Sequence, residues 1–560
     1  MTEENDSDIE RFALGFVIFF VLVGGFLRVL LLGTKGMWLD ETFSVWLANH
    51  SLPEMMQWIV KIDQHPPLYY LLLHAWVAHY GDTPYYVRLL SALIGTATIP
   101  VVYLIGKRMS GSLVGLVAAV FMTFSPFNIY YAQEARMYTL LTLNAAITIY
   151  ALVRLLTDPR SANPIGSQFR DYLHAWRTLG PVQPEDKNDF SYMVEPPRTG
   201  FRAWVYRHRW SPIQTIETDL AWIAFIVSST LTLLTHNTAV FLPIATNIFV
   251  ISLILVQRRK ASDSAPALYA PSFGNWIKSQ IGILLLWSPW IFVFLQQARR
   301  VNQEFWIPQP TWEIVTKTLR ALLNASAPGQ ISDIMTWILC AVLFFGLIFY
   351  RKKLSMFLFL VTLFATPVLG ELIVSIRRPI FFDRTLIWVT IPMFLVLAAG
   401  IVQLRFRPLM IIVLGVLVTN YLSSAGDIYR FVQKEDWDTA AGYVANYAEK
   451  DDLVLFNSNF VVISFNYYFQ AYEKKYMIEV NKRGLPLDLF ESGILEPKMT
   501  ENDVPGLISL IRGHDRVWLV YSHDDYTDPD GLIPQTLASQ MKLVREREFY
   551  GGTVQLYETP

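Results

Sequence analysis

Of 560 residues only one is a cysteine, Cys340, and it lies in an apolar run, so no intrachain disulfide framework and no CxxC metal site exists. Charge is also scarce. Asp, Glu, Lys and Arg make up 17% of the chain and nearly cancel to a net −1, which excludes the concentrated basic surface that a nucleic-acid partner requires. No Gly-rich loop follows a strand-like run, so nothing supports a nucleotide site. The opening MTEENDSDIER is acidic rather than basic, and the apolar run after it has no small-residue cleavage site, which predicts a retained helix rather than a signal peptide. What fills the composition is apolar: 53% hydrophobic residues are too many for a soluble enzyme of this length and imply a polytopic membrane protein.

Runs long enough to span a membrane fall near 12–32, 87–106, 112–127, 134–154, 219–235, 238–256, 277–296, 333–350, 355–375, 385–404 and 408–424, about eleven in all. Lys107-Arg108, Arg258-Arg259-Lys260, Arg351-Lys352-Lys353 and Arg405/Arg407 fall on one side of such a bundle. The positive-inside rule makes that side, with the amino terminus, cytoplasmic in a cell (inner or plasma) membrane. The insertion 157–218 shares it; its prolines and Trp176, Trp204 and Trp210 suggest a membrane-surface piece without chemistry of its own. The first loop, 33–86, and everything after about 426 face outside. Two domains are expected, a transmembrane module over 1–425 and an extracytoplasmic α/β domain over 426–560. In the latter, 437–444 has helical spacing, and 452–456, 516–521 and 552–557 read as strands.

Polar residues gather between Gly36 and Arg88. Trp38-Leu39-Asp40-Glu41 sets two adjacent carboxylates at a membrane exit, where an unpaired charge costs on the order of a few kcal/mol. The pair therefore reads as a functional site, against the plainer reading of acidic residues capping a helix. His65-Pro66-Pro67-Leu68-Tyr69-Tyr70 forces extended residues before each proline and then starts a helix, which fixes His65 at a corner. Arg88, Glu134, Arg136, Asp333, Glu371 and Asp383-Arg384 lie at or near the external ends of spans, with Arg28 inside the first. A transporter more often carries such groups near the midplane. Here they roof the bundle. Tyr130 to Tyr138 adds Tyr131, Glu134, Arg136 and Tyr138; Glu134 and Arg136 serve one site only if the fourth helix begins late, because in a helix they point about 200° apart. His236 ends the fifth span, Trp306 sits in an aromatic loop able to stack on a sugar, and Arg377-Arg378-Pro379-Ile380-Phe381-Phe382-Asp383-Arg384 places arginines outside, where a phosphate suits the guanidinium fork. A donor with a lipid tail, a phosphate and a polar head fits such a roof.

Trp38-Leu39-Asp40-Glu41, His65-Pro66-Pro67-Leu68-Tyr69, Val87-Arg88-Leu89-Leu90-Ser91-Ala92-Leu93, the Tyr131–Tyr138 block and Arg384 resemble membrane glycosyltransferases of family 39. This is the GT-C type that includes protein O-mannosyltransferases and the lipid A aminoarabinose transferase. The likeness covers about the first 400 residues, most specifically 36–140; the 157–218 insertion departs from it. It implies a GT-C bundle of about eleven helices with a C-terminal α/β domain. It also implies a polyprenyl-phosphate sugar as donor, Asp40 as base, Arg88 and Arg384 at the donor phosphate and Glu134 near the site, with the acceptor a protein, lipid or polysaccharide.

The chemistry implied is single displacement with inversion, in which one carboxylate suffices because a phosphate leaves well once its charge is neutralised. Asp40 and Glu41 are thus the expected catalytic pair. His65, Arg88, Tyr131, Glu134, Arg136, Tyr138, His236, Trp306, Arg378, Asp383 and Arg384 are expected to bind substrate. The carboxylate that is not the base orients a neighbour or holds a divalent ion (Mg2+ or Mn2+) with His65 or His236, although ligands on separate loops have no diagnostic spacing. Two alternatives stand beside this one. A flippase of lipid-linked glycans would show repeats between the halves or charges at mid-span; a mere anchor for a 426–560 binding domain would leave Asp40, Arg88 and Arg384 without a task.

Overall fold

The computed structural model describes residues 3–171, 216–259, 267–300, 307–323, 333–351, 353–404 and 406–560; Trp176, Trp204, Trp210 and Trp306 lie outside them. Among the described residues nine helices are long and apolar enough to cross a membrane, and a bent pair, Ser112–Phe124 and Pro126–Ala132, makes a tenth. Glu217–Leu233, 17 residues, fills the place of the remaining expected run. Close packing is set where a side chain would not fit: a Cβ on Gly106 would stand 2.7 Å from the Cα of Gly115. Small residues let those two spans touch along their backbones.

Two spans differ in shape from their hydropathy. The third breaks by 54° at Ser125, whose hydroxyl accepts the Asn128 N–H while Pro126 takes the first helical position. The break exposes carbonyls at the end of Ser112–Phe124, and Arg28, fully buried in the first span, donates to those of Met122 (2.8 Å) and Thr123 (3.3 Å). A cation there satisfies the helix's last acceptors and its negative end at once. The fourth span begins at Tyr138 rather than 134, because Gln133–Met137 form a turn. Gln133 pins this turn through the carbonyls of Arg28 and Leu30, and the Ala135 N–H donates to Glu41.

The first loop folds into helices Leu39–Ala48, Leu52–Lys61 and Leu68–Tyr80. The second is closed by the Ser51/Glu54 capping box, and the third starts directly after the two prolines. Beyond the helix Arg407–Phe431 the chain forms a five-stranded sheet in the order β2-β1-β3-β5-β4, with β1 Leu453–Phe456, β2 Asn481–Gly484, β3 Arg516–Tyr521, β4 Lys542–Phe549 and β5 Gly552–Glu558. β1 is parallel to β2 and β3; β5 is antiparallel to β3 and β4. Alternation along β1 sorts its side chains. Val454 and Phe456 face helices Trp437–Tyr447 and Val461–Tyr476, while Leu453 and Leu455 face Val504–Ile511 and Leu532–Gln540. The first of these layers also packs on Phe43, Trp46 and Trp58, so the α/β unit rests on the first loop.

Candidate active site

Helix Leu39–Ala48 decides what each carboxylate does. Neighbouring side chains on a helix diverge by about 100°, so Asp40 and Glu41 cannot share a direction. Glu41 turns inward and is fully buried. Its oxygens accept Arg88 Nε and Nη2, both at 2.7 Å, and the Ala135 N–H at 2.9 Å. Burial alone would raise its pKa, but the Arg88 and Lys434 charges and these hydrogen bonds pull it down to about 2. Arg88 spends its remaining donors on the carbonyls of Leu32, Lys35 and Gly36, at 3.0, 2.8 and 2.7 Å. Lys434, at the entry to the α/β unit, completes the cluster, 2.6 Å from Glu134 and 3.7 Å from Glu41. Two cations and two carboxylates thus make a neutral buried frame that holds the 133–137 turn.

Asp40 points the other way, into a cavity of about 320 Å3 between the first loop, the adjoining ends of the spans and the α/β unit. Its Oδ2 is 3.2 Å from Arg384 Nη1 and 3.8 Å from Arg136 Nε. Burial opposes its ionisation, yet Arg136 and Arg384 outweigh burial and hold the carboxyl below the usual aspartate range. Arg384 is framed by the rings of Trp38, Tyr138 and Phe382, which stiffen the guanidinium over the carboxylate. Behind it, Asp383 takes the Tyr131 hydroxyl at 3.2 Å and the Arg384 backbone N–H at 2.7 Å. Arg136 also donates to the Asp40 carbonyl and to Ser44 and Tyr70.

Three buried polar atoms of cavity-lining residues, Asp63 Oδ2, Arg136 Nε and Asn237 Oδ1, have no hydrogen-bond partner among the described residues. Buried polar atoms without partners mark places where a polar ligand binds at little desolvation cost. Arg378 lines the far side and donates to the Ala298 carbonyl.

Of the residues expected from sequence, Asp40, His65, Arg136, Tyr138, His236, Arg378 and Arg384 line this cavity. Glu41, Arg88, Tyr131, Glu134 and Asp383 stand behind it, and Trp306 lies outside the described residues. The metal set Glu41, His65 and His236 is not assembled. The two histidine rings lie 5.1 Å apart, His65 on Asp63 and His236 on Thr238, whereas Glu41 belongs to Arg88. Among the described residues no three His, Cys, Asp or Glu group to hold a metal ion. Sequence reasoning missed Asp63, Gln297, Lys434 and Glu496. Lys434 sits in a polar QKED run indistinguishable from a solvated linker, and Gln297 in a basic helix end.

Residues 64–166 match the family described as dolichyl-phosphate-mannose-protein mannosyltransferase. The fold matches ArnT from Cupriavidus metallidurans in the apo state, with a TM-score of 0.60, 12% identity and coverage of 97% of this chain and 98% of that one. The same protein bound to undecaprenyl phosphate gives a TM-score of 0.56 at 11% identity, over 97% and 98% of the two chains. The oligosaccharyltransferase AglB from Archaeoglobus fulgidus, in complex with an inhibitory peptide and a dolichol-phosphate, gives 0.52 at 8% identity, over 99% of this chain and 75% of that one. No curated protein matches the sequence.

Proposed function

We propose that this chain, a multi-pass membrane protein with the GT-C glycosyltransferase fold, is an inverting glycosyltransferase. It moves a sugar from a polyprenyl-phosphate-linked donor to an acceptor hydroxyl at the outer face of the membrane. The observation that carries this reading is Asp40: an ionised carboxylate in a cavity, held 3.2 Å from Arg384 with Arg136 beside it. The match over 64–166 and the likeness to a fold solved with undecaprenyl phosphate support the donor class.

In the proposed reaction the acceptor oxygen bonds to the anomeric carbon as Asp40 takes its proton. The bond from that carbon to the phosphate oxygen breaks on the opposite face, and the phosphate keeps the electron pair. Arg384, with Arg378 across the cavity, meets the charge that develops on the leaving phosphate, so no second acid is needed. The arrangement also couples binding to basicity. In the free protein the arginines depress Asp40; a phosphate seated among them cancels part of their field and raises the carboxylate's affinity for a proton when it is required. Glu41, Arg88, Glu134 and Lys434 then act as positioning residues, through the turn that carries Arg136.

Purified protein incubated with a panel of polyprenyl-phosphate sugars should release polyprenyl phosphate from one of them, and release from none would remove the reading. With that donor, Arg384→Ala should raise the donor KM by about 10–100-fold, the worth of a lost charge-assisted hydrogen bond. Lys should recover only part of this, because it lacks the flat bidentate fork. Full rescue by Lys would make Arg384 a plain point charge.

The orientation we propose follows the basic loops, with the amino terminus cytoplasmic and 33–86 and 426–560 outside. In a Cys340→Ser background, Met477→Cys, at a residue 92% exposed, should react with an impermeant maleimide on intact cells, and Arg351→Cys only after permeabilisation. The reverse pattern would invert the topology.

A further inference from the structure

The lid of the cavity comes from the α/β unit, as Phe460, Leu495 and Glu496. Glu496 is its one charged group, and the fold goes out of its way to aim it. Its backbone φ is +52°, in the left-handed region that a side chain other than Gly, Asn or Asp seldom enters. Such a conformation persists only where the surroundings over-determine it, and here Asn459 does so. Asn459, fully buried, donates to the carbonyls of Leu487 and Ile494 at 2.9 and 2.8 Å, and its Oδ1 accepts the Glu496 N–H at 3.1 Å. The Tyr526 hydroxyl donates to Glu496 Oε1 at 3.2 Å. Among the described residues no Lys or Arg forms an ion pair with Glu496, and His523 is taken by Glu435 at 3.2 Å. The carboxyl therefore enters the cavity held by one hydroxyl and unneutralised, on the wall that faces Asp40. Burial pushes it up to about 7, with Asp40 adding to the rise and Tyr526 and His523 opposing it.

We infer that Glu496 is a specificity-determining residue of the proposed transfer, presenting its carboxyl from the α/β unit to a hydroxyl of the carbohydrate bound against Asp40. The inference rests on the glycosyltransferase reading. A carboxyl near neutrality both donates and accepts, as a sugar hydroxyl does, so the pair is complementary in either direction. A phosphate is the wrong ligand for that wall, since a carboxylate beside it repels, and the arginines lie elsewhere. The hydroxyl belongs either to the donor sugar or to a saccharide acceptor, and the two sources separate kinetically.

The test uses the full chain and the donor identified by polyprenyl-phosphate release. Glu496→Ala should raise the KM of one substrate by about 10–100-fold and the kcat far less, because a buried hydroxyl loses its partner. The donor KM moves if the hydroxyl is the donor's, and the acceptor KM if it is the acceptor's. Glu496→Gln keeps a donor and an acceptor and should stay within a few-fold of the parent. A deoxy analogue lacking the engaged hydroxyl should be penalised by the parent and accepted equally by parent and Glu496→Ala, an interaction that a merely structural residue would not show. If the alanine variant does not fold, Glu496→Asp, shorter by one methylene, reads the same discrimination against the deoxy analogue. Unmoved KM values with unmoved discrimination, or an equal fall in kcat for every substrate, overturn the inference alone. Inactivity of the parent towards every donor overturns the glycosyltransferase reading and the inference with it.

Discussion

Asp40→Asn lowers transfer by about 10²–10⁴-fold, the range that a positioned general base contributes, while the donor KM changes little. The amide keeps the shape of the carboxylate and still offers an oxygen to Arg384, so the cavity and its arginines stay in place. What it loses is the ability to take the acceptor's proton. The sign of the pH dependence follows from the same contacts. A base must be unprotonated, and Asp40 is held below its ordinary value of 3.8 by Arg136 and Arg384. In the parent protein kcat/KM is therefore level from neutrality downwards until the pH falls through a pKa below about 4. Arg136→Gln removes part of that field and should shift the acid limb upward. Steady-state release of polyprenyl phosphate from the donor, followed against pH, measures both effects. Should purified Asp40→Asn turn over donor at near the parental rate, Asp40 is not the base. Glu41 is no replacement, because it is sealed under Arg88. Among the described residues the remaining cavity carboxylates are Asp63, paired with His65 at 3.0 Å, and Glu496 on the lid.

Arg88→Met costs the folded protein about 3–5 kcal/mol, the usual penalty for removing one partner of a buried ion pair. Arg88 is 2% exposed and all five of its N–H groups are engaged. Its loss leaves the Glu41 carboxylate fully buried without its two-point partner and frees three carbonyls of the chain that leads into the Asp40 helix. The double variant Arg88→Met/Glu41→Leu should recover a large part of the loss, since replacing both partners by apolar groups removes the uncompensated charge. Thermal unfolding of detergent-solubilised protein distinguishes the three chains. A different result would restore the expectation drawn from family resemblance, in which the arginine after the first loop meets the donor phosphate. In that case Arg88→Met would unfold at the parental temperature and weaken donor binding, which is incompatible with an arginine closed off behind Glu41.

Much of the architecture was legible before any coordinates. Each expected apolar run carries a helix, and the proline pair does start one. β1, β3 and β5 fall where buried runs of Leu, Val and aromatic residues lie. β2 and β4 were missed for a common reason. Asn481–Gly484 and Lys542–Phe549 are the two edges of the sheet, polar and largely exposed, so they lack the hydrophobic run by which the inner strands are recognised. Glu134 and Arg136 also show the limit of a local pattern. Their spacing stated a condition, a late helix start. The condition is met because Glu41 accepts the Ala135 N–H, 94 residues away in the chain.

Sequence alone determined which segments are apolar enough to span a membrane, the helix start after the proline pair, and the gathering of rare charged residues at one end of the bundle. Those properties depend on the cost of burying charge and on dihedral preferences, and both act within a few residues. Tertiary structure alone decided the division of labour inside that gathering. Adjacent carboxylates on one helix are chemically alike until packing turns one towards Arg88, 47 residues on, and the other towards Arg384, 344 residues on. Lys434 reaches back 300 residues to Glu134, and Glu496 closes the cavity from the far end of the chain. Contacts over such separations leave no period or spacing in the sequence, because what selects them is the match of charge and shape after the chain has folded.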